Sequence, residues 1–277
     1  MKKIILALNA NDVNKEVVDF ACHISVLTNS GLTGVFIENT VPPPVPVMKV
    51  LPANLYNEFA VADDLLPYKA VAQNRETNTN LFVEACSGRG ISANVSFCDD
   101  IDNLIFDSRF ADLLIIDPEI SFEEKKELAP TTFVKNVLSR SECPVIIAPY
   151  HFDNIDEILF AYDGSASSVF AIKQFTYLFS ELSETKAVLL HVNTEDSDNQ
   201  LQRSKISDLI KMHYNINGFR KLYGKPDEEL SKYLIGKKNI FVVMGSYGKH
   251  RFPHLFERST ADLLLKAVNL PIFITHH

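Results

Sequence analysis

Two glycines three residues apart, Gly245 and Gly248, follow the apolar run 239–244, and Lys249, Arg251 and Arg258 stand in the residues after them. Glycines at such a spacing let backbone N–H groups approach an anion with no Cβ in the way. Ser246 lies between them, and Ser259 and Thr260 stand where the next helical segment, 260–268, begins. A helix start of that kind offers hydroxyls, free N–H donors and the positive end of the helix dipole. The chemistry implied is capture of a polyanion, a phosphate above all. A G-x-x-G pair alone is a weak signal, and it gains specificity from standing between a strand and a Ser-Thr helix start.

Two other strand ends carry polar groups. Asp163-Gly164-Ser165 ends the apolar run 157–162, and Val192-Asn193 ends the run 186–192. In open α/β sheets ligands settle beyond the carboxyl ends of the strands, which makes these residues candidate ligand contacts. Asp163 has a second reading as a helix N-terminal acid of structural value only.

Other reactive types read more simply. His250 and His254 have a helical metal-ligand spacing, but Pro253 lies between them and no acid cluster is near, so they read as solvated loop residues. His191 sits inside an apolar strand and reads as a core histidine. Asp99-Asp100-x-Asp102 lacks the calcium-loop spacing with its closing Glu. Ser246 is in G-S-Y-G, not in the G-x-S-x-G of a nucleophile elbow, and no catalytic triad emerges. Cys22, Cys86, Cys98 and Cys143 contain no C-x-x-C pair, so neither a zinc site nor a disulfide framework is expected, and buried small hydrophobes are.

The elements that must hold these residues come in two sets. Lys3–Asn11 resembles Glu157–Ser165 at an offset of 154, and Val35–Thr40 lies opposite Leu189–Thr194 at the same offset. Further on the offset is 128, pairing Leu113–Asp117 with Phe241–Gly245, and Cys143–Ile147 with Leu270–Ile274 within one residue. Four such matches in order indicate a duplication. The change in offset places an insertion around 41–75 in the first copy, where the Pro-rich stretch 41–52 reads as a surface loop. The domains expected are 1–150 and 151–277, with a linker near 149–155.

In the second copy a helix over about 167–182, capped by Ser165 or Ser167, follows strand 157–162. Strand 186–192, a helix near 199–213, a strand near 217–223, a helix opening at Pro226, strand 239–244, helix 260–268 and strand 271–275 complete it. Apolar strands alternating with helices predict α/β architecture: two tandem doubly wound domains, each with a mostly parallel five-stranded sheet. The apolar end strands 144–148 and 271–275 are edges that need cover.

Net charge is −8 over 277 residues and is confined to one side of the duplication. Residues 1–150 hold 12 Lys and Arg against 20 Asp and Glu, whereas 151–277 hold 15 of each. The acidic half argues against a nucleic-acid surface, and no apolar run approaches the ~20 residues that span a bilayer. The start, Met1-Lys2-Lys3 before Ile4–Leu8, is broken by Asn9, Asn11 and Asp12 and reads as a buried strand, so a cytoplasmic location is expected.

With these motifs in place, the chain resembles the universal stress protein family, in its tandem two-domain form. The family pattern is G-x-x-G, nine residues, then Gly and Ser/Thr. Here Gly245 and Gly248 match, 249–257 is the spacer, Ser259 matches, and Arg258 occupies the third glycine. Asp163 matches the acid closing the family's first strand, Val192 its second-strand position beside the adenine, and Gly224 the small residue after strand three. The resemblance implies an adenine nucleotide hydrolase-like fold and ATP as ligand, often with a divalent ion such as Mg²⁺ carried by the phosphates and Asp163. It implies a nucleotide contact set of Asp163, Gly164, Ser165, Val192, Gly245, Ser246, Gly248, Lys249, Arg258, Ser259 and Thr260, little or slow hydrolysis, an internal pseudo-dimer of the two copies, and association of two chains. Arg258 either occludes a phosphate or pairs with it through its guanidinium. In the first copy Asn9 replaces the acid, Asp117-Pro118-Glu119-Ile120 the glycine loop and Pro130-Thr131 the glycine-serine step, so that copy is expected to bind no nucleotide.

Overall fold

The computed structural model describes residues 3–38, 66–123, 125–193, 200–214, 216–224, 226–245 and 269–275. In the first half β1 (Lys3–Asn9), α1 (Lys15–Leu27), β2 (Gly31–Ile37), α2 (Leu66–Ser87), β3 (Ala93–Cys98), α3 (Ile101–Ser108), β4 (Leu113–Ile116), α4 (Thr132–Arg140) and β5 (Val145–Ile147) follow one another. The second half holds β6 (Glu157–Tyr162), α5 (Ala166–Leu178), β7 (Lys186–Asn193), α6 (Gln200–Lys211), β8 (Ile216–Tyr223), α7 (Pro226–Leu234), β9 (Ile240–Gly245) and β10 (Ile272–Thr275). The strands predicted at 157–162, 186–192, 217–223, 239–244 and 271–275 are all present to within a residue or two.

All ten strands lie in one sheet, in the order β3-β2-β1-β4-β5-β10-β9-β6-β7-β8. The order reads inward from each edge as third, second, first, fourth and fifth strand of its half. Pairing within each half is parallel throughout. The halves meet where β5 and β10 pair antiparallel, Ile146 opposite Phe273. The two apolar end strands thus cover each other's edge. The sheets are therefore not separate: one ten-stranded sheet runs through the molecule.

Alternate strand residues face opposite layers, as the two-residue period of a strand requires. Ile4, Leu6 and Leu8 point to a core shared with α1, α2, α5 and α6; Ile5 and Ala7 point to a second core shared with α3, α4 and α7. Burial on both faces explains why the strands are near-continuous apolar runs. In the second half Phe175 of α5 is packed by Phe160, Phe179, Phe241 and Phe273, with centroids 4.7 to 5.9 Å away.

The first-copy insertion is partly a helix. α2 begins at Leu66, inside the predicted 41–75, and at 22 residues it is longer than the 12 of α6. The Pro-rich stretch 41–52 lies outside the described residues. All four cysteines are buried free thiols. No helix among the described residues is long and apolar enough to cross a membrane.

Candidate functional site

The second-half crevice opens at the carboxyl end of β6, between α5 and α6. After Tyr162 the chain turns at Gly164, whose φ of +81° favours a residue without Cβ. Asp163 Oδ1 accepts from Ser165 N–H at 2.9 Å, and Ser165 Oγ accepts from Ser168 N–H at 3.1 Å as the N-cap of α5. Ser165, one of the two predicted caps, is the cap. A cavity of about 350 Å³ stands over this turn, walled by Tyr162, Gly164, Ser165 and Val169 on one side and by Ile206 and Leu209 of α6 on the other. Lys205 also reaches its lining. On the same face of the sheet the Tyr162 ring is 5.5 Å from His191, which stands 6.4 Å from Phe219. His191 therefore belongs to an aromatic row, as its place in an apolar strand suggests. Burial, with Asp163 beside it, pushes the Tyr162 hydroxyl above its ordinary value.

This arrangement can receive a flat, largely apolar group over a turn rich in backbone and hydroxyl donors. Val192 is in β7, one residue from its end. Gly245 ends β9, and a Cβ there would stand 2.6 Å from the Ser167 carbonyl carbon and 2.7 Å from its oxygen. Close passage of the α5 start therefore demands glycine at 245 with no ligand present, a reason the sequence reading did not find. Ser246, Gly248, Lys249, Arg258, Ser259 and Thr260 lie outside the described residues, as do His250 and His254. Gly224 has a φ of +139°, and the Glu229 side chain lies where its Cβ would be. Among the described residues no group of three or more His, Cys, Asp or Glu side chains is placed to hold a metal ion. Asp100, from the acidic strand-end loop, caps α3 by accepting from Asn103 N–H, and Asp102 pairs with Arg140.

The first half has a cavity of about 450 Å³ between the end of β1 and the loop after β4, and acidic groups dominate its polar lining. Asp12, Asp117, Glu119, Glu123 and Glu127 line it against only Lys125 and Lys126. Burial raises the Asp117 carboxyl above its ordinary value; hydrogen bonds from Glu119 N–H (2.8 Å) and the Asn14 amide (3.0 Å) oppose this, and the Glu119 and Asp12 charges add to it. At the start of α4, Glu127 accepts from Thr132 N–H (3.1 Å), Thr132 Oγ1 (2.5 Å) and Ser121 Oγ (2.6 Å). Partial desolvation works against this carboxylate, but the hydrogen bonds prevail and hold it below the ordinary Glu range. Glu38, which aligns with Val192, is held by Arg75 at 2.7 Å, whose guanidinium lies 3.8 Å from the centre of the Phe97 ring. Asp117, Glu127 and Glu38 thus each have an internal partner.

No family model matches the chain. Universal stress protein Slr1230 of Synechocystis is 30% identical over 135 residues, which is 47% of this chain and 45% of that protein. The chain therefore matches about half the length of this curated relative. A universal stress protein structure from Archaeoglobus fulgidus superposes with a TM-score of 0.68 at 16% identity, covering 98% of both chains. Over about half its length the chain is similar in sequence to a universal stress protein, and it shares the fold of the Archaeoglobus protein. A putative universal stress protein from Pseudomonas aeruginosa shares the fold at 12% identity, with a TM-score of 0.56 over 100% of this chain and 93% of its own. The full-length match with the Archaeoglobus structure shows that the shared fold extends through both halves.

Proposed function

We propose that this universal stress protein relative is a cytoplasmic regulatory protein that takes one adenine nucleotide, ATP, in its second half and signals by occupancy without efficient turnover. The observation that carries the reading is the difference between the two crevices. The second offers a cavity with apolar walls beside the Gly164 turn and the start of α5, whereas the cavity at the end of β1 in the first is lined by five carboxylates. Repulsion from those carboxylates disfavours a triphosphate in the first half. The adenine would sit against Val192 and the α6 residues Ile206 and Leu209. The phosphates would run toward Gly245 and the segment bearing Gly248, Lys249, Arg258, Ser259 and Thr260, with Mg²⁺ between them and Asp163. Residues 151–277 would then be the nucleotide-binding domain and 1–150 its silent counterpart. Two chains would associate as a homodimer. Isothermal titration with ATP and Mg²⁺ tests the reading: one site per chain is expected, and no heat at millimolar ligand rejects it.

A second reading, a nucleotide-free scaffold, draws on the local roles of the same residues. Asp163 already serves its own turn and Gly245 already accommodates Ser167, so neither requires a ligand. In that case Arg258 closes the pocket, and Arg258→Gly confers ATP binding that the parent lacks.

A further inference from the structure

Cys22 on α1 and Cys86 on α2 are both wholly buried, and their sulfurs stand 3.7 Å apart across the helix pair. They are 64 residues apart in the chain, and a surface cleft opens between the same two helices. That cleft, about 660 Å³ between α1 and α2, is lined by Asp19, Leu81, Ala85 and Arg89 among others. Asp19 lies one helical turn before Cys22, and Ala85 immediately precedes Cys86. Arg89 donates to Asp19 Oδ1 at 2.7 Å and to the Ala85 carbonyl at 2.9 Å. The Arg89–Asp19 ion pair is partly exposed, which makes it weak and easily parted.

We propose that Cys22 and Cys86 form a peroxide-responsive dithiol that closes to a disulfide and fastens α2 to α1. The two sulfurs need to approach by about 1.6 Å to reach bonding distance. Either sulfur can be the donor in the hydrogen bond between the thiols. Where Cys86 donates, that bond lowers the Cys22 thiol against burial, with Arg89 assisting, and raises that of Cys86. In that arrangement Cys22 is the attacking sulfur. Its thiolate displaces water from hydrogen peroxide, forming an S–O bond as the O–O bond breaks. Cys86 then attacks that sulfur, the S–O bond breaks, and a second water leaves as the S–S bond forms. Two thiols lose two electrons and two protons to one peroxide, giving one disulfide and two waters. Burial holds Cys98 and Cys143 at about 11, so they serve as unreactive internal references.

The test treats the folded full-length chain with stoichiometric hydrogen peroxide, blocks remaining thiols in denaturant and maps the peptides by mass spectrometry. The expected result is a linked Cys22–Cys86 peptide with Cys98 and Cys143 still alkylated, and a rise in the urea midpoint that a reductant reverses, since the bond closes a long loop. Cys22→Ser and Cys86→Ser each abolish the link. The wild-type mapping stands even if a variant fails to fold. The proposal is overturned if peroxide leaves all four thiols alkylated while circular dichroism reports a folded chain. It is equally overturned if oxidation falls on Cys98 or Cys143, or stops at singly oxidised Cys22 with no link.

Discussion

The side-chain amide of Asn14 donates to Asp117 Oδ2 at 3.0 Å, tying the start of α1 to the end of β4. In the second half Gly245 aligns with Asp117, and there the backbone of Ser167 occupies the space that a side chain would need. The helices differ to match. The α5 cap is Ser165, which aligns with Asn11, yet α1 is capped by Asn14, three residues later. A Cβ and carboxylate at 117 keep the helix start away, and the displaced cap binds the carboxylate instead. Glycine at 245 lets the helix begin a turn earlier.

Gly245→Ala is therefore expected to destabilise the fold. The obstructing atoms are backbone, which yields little, so a loss of about 1–3 kcal/mol follows from overpacking. Urea unfolding measures it, and an unchanged midpoint would refute the steric account of this glycine.

Glu127→Ala removes the carboxylate at the start of α4 and is expected to cost about 1 kcal/mol at pH 7, within the range for lost helix caps. Partial solvent exposure favours the lower part of that range. The sign with pH follows from a folded-state value below the ordinary one. The stabilisation is present above the unfolded-state value and is lost as pH falls through the folded one. Wild type and variant should therefore converge in urea midpoint as the solution is acidified from pH 7 to pH 3.

Asp163→Asn separates the turn from the ligand. The amide oxygen can still accept from Ser165 N–H, so the thermal midpoint should stay within a degree or two, about the range of a neutral surface change. If the carboxylate meets Mg-nucleotide, affinity measured by titration should fall about tenfold or more, the usual scale for losing a charged contact. Equal loss of stability and binding would assign Asp163 to the turn alone.

Phe175→Ala should remove about 3–5 kcal/mol, the usual cost of emptying a buried phenylalanine site. Phe175 touches Phe273 of β10, which pairs with β5 of the other half. Calorimetry should accordingly show one lowered transition, and not a second-half transition separated from an unchanged first.

What the sequence made legible was local. The strands were apolar runs repeated at fixed offsets, and Ser165 stood at a turn that needed a cap, so both could be read before any contact was known. The α6 wall of the crevice, Ile206 and Leu209 with Lys205, could not be placed, because which helical face meets the sheet is a tertiary matter. Glu127 escaped for the same reason: its partners Ser121 and Thr132 give no pattern until the loop folds back. The early start of α2 was hidden because its apolar residues form no clean stripe beside the proline-rich stretch. Gly245 was noticed for an anion, whereas its nearest demand is the passage of Ser167.

The seam between β5 and β10 has one more effect. Where two separate chains met along such an edge, dilution would part them and occupancy of the joined form would follow protein abundance. Here a peptide connection supplies the neighbouring edge at a fixed local concentration, whatever the number of molecules present. The ratio of acidic to glycine-bearing crevices is thereby locked at one to one in every copy, from the scarcest to the most plentiful.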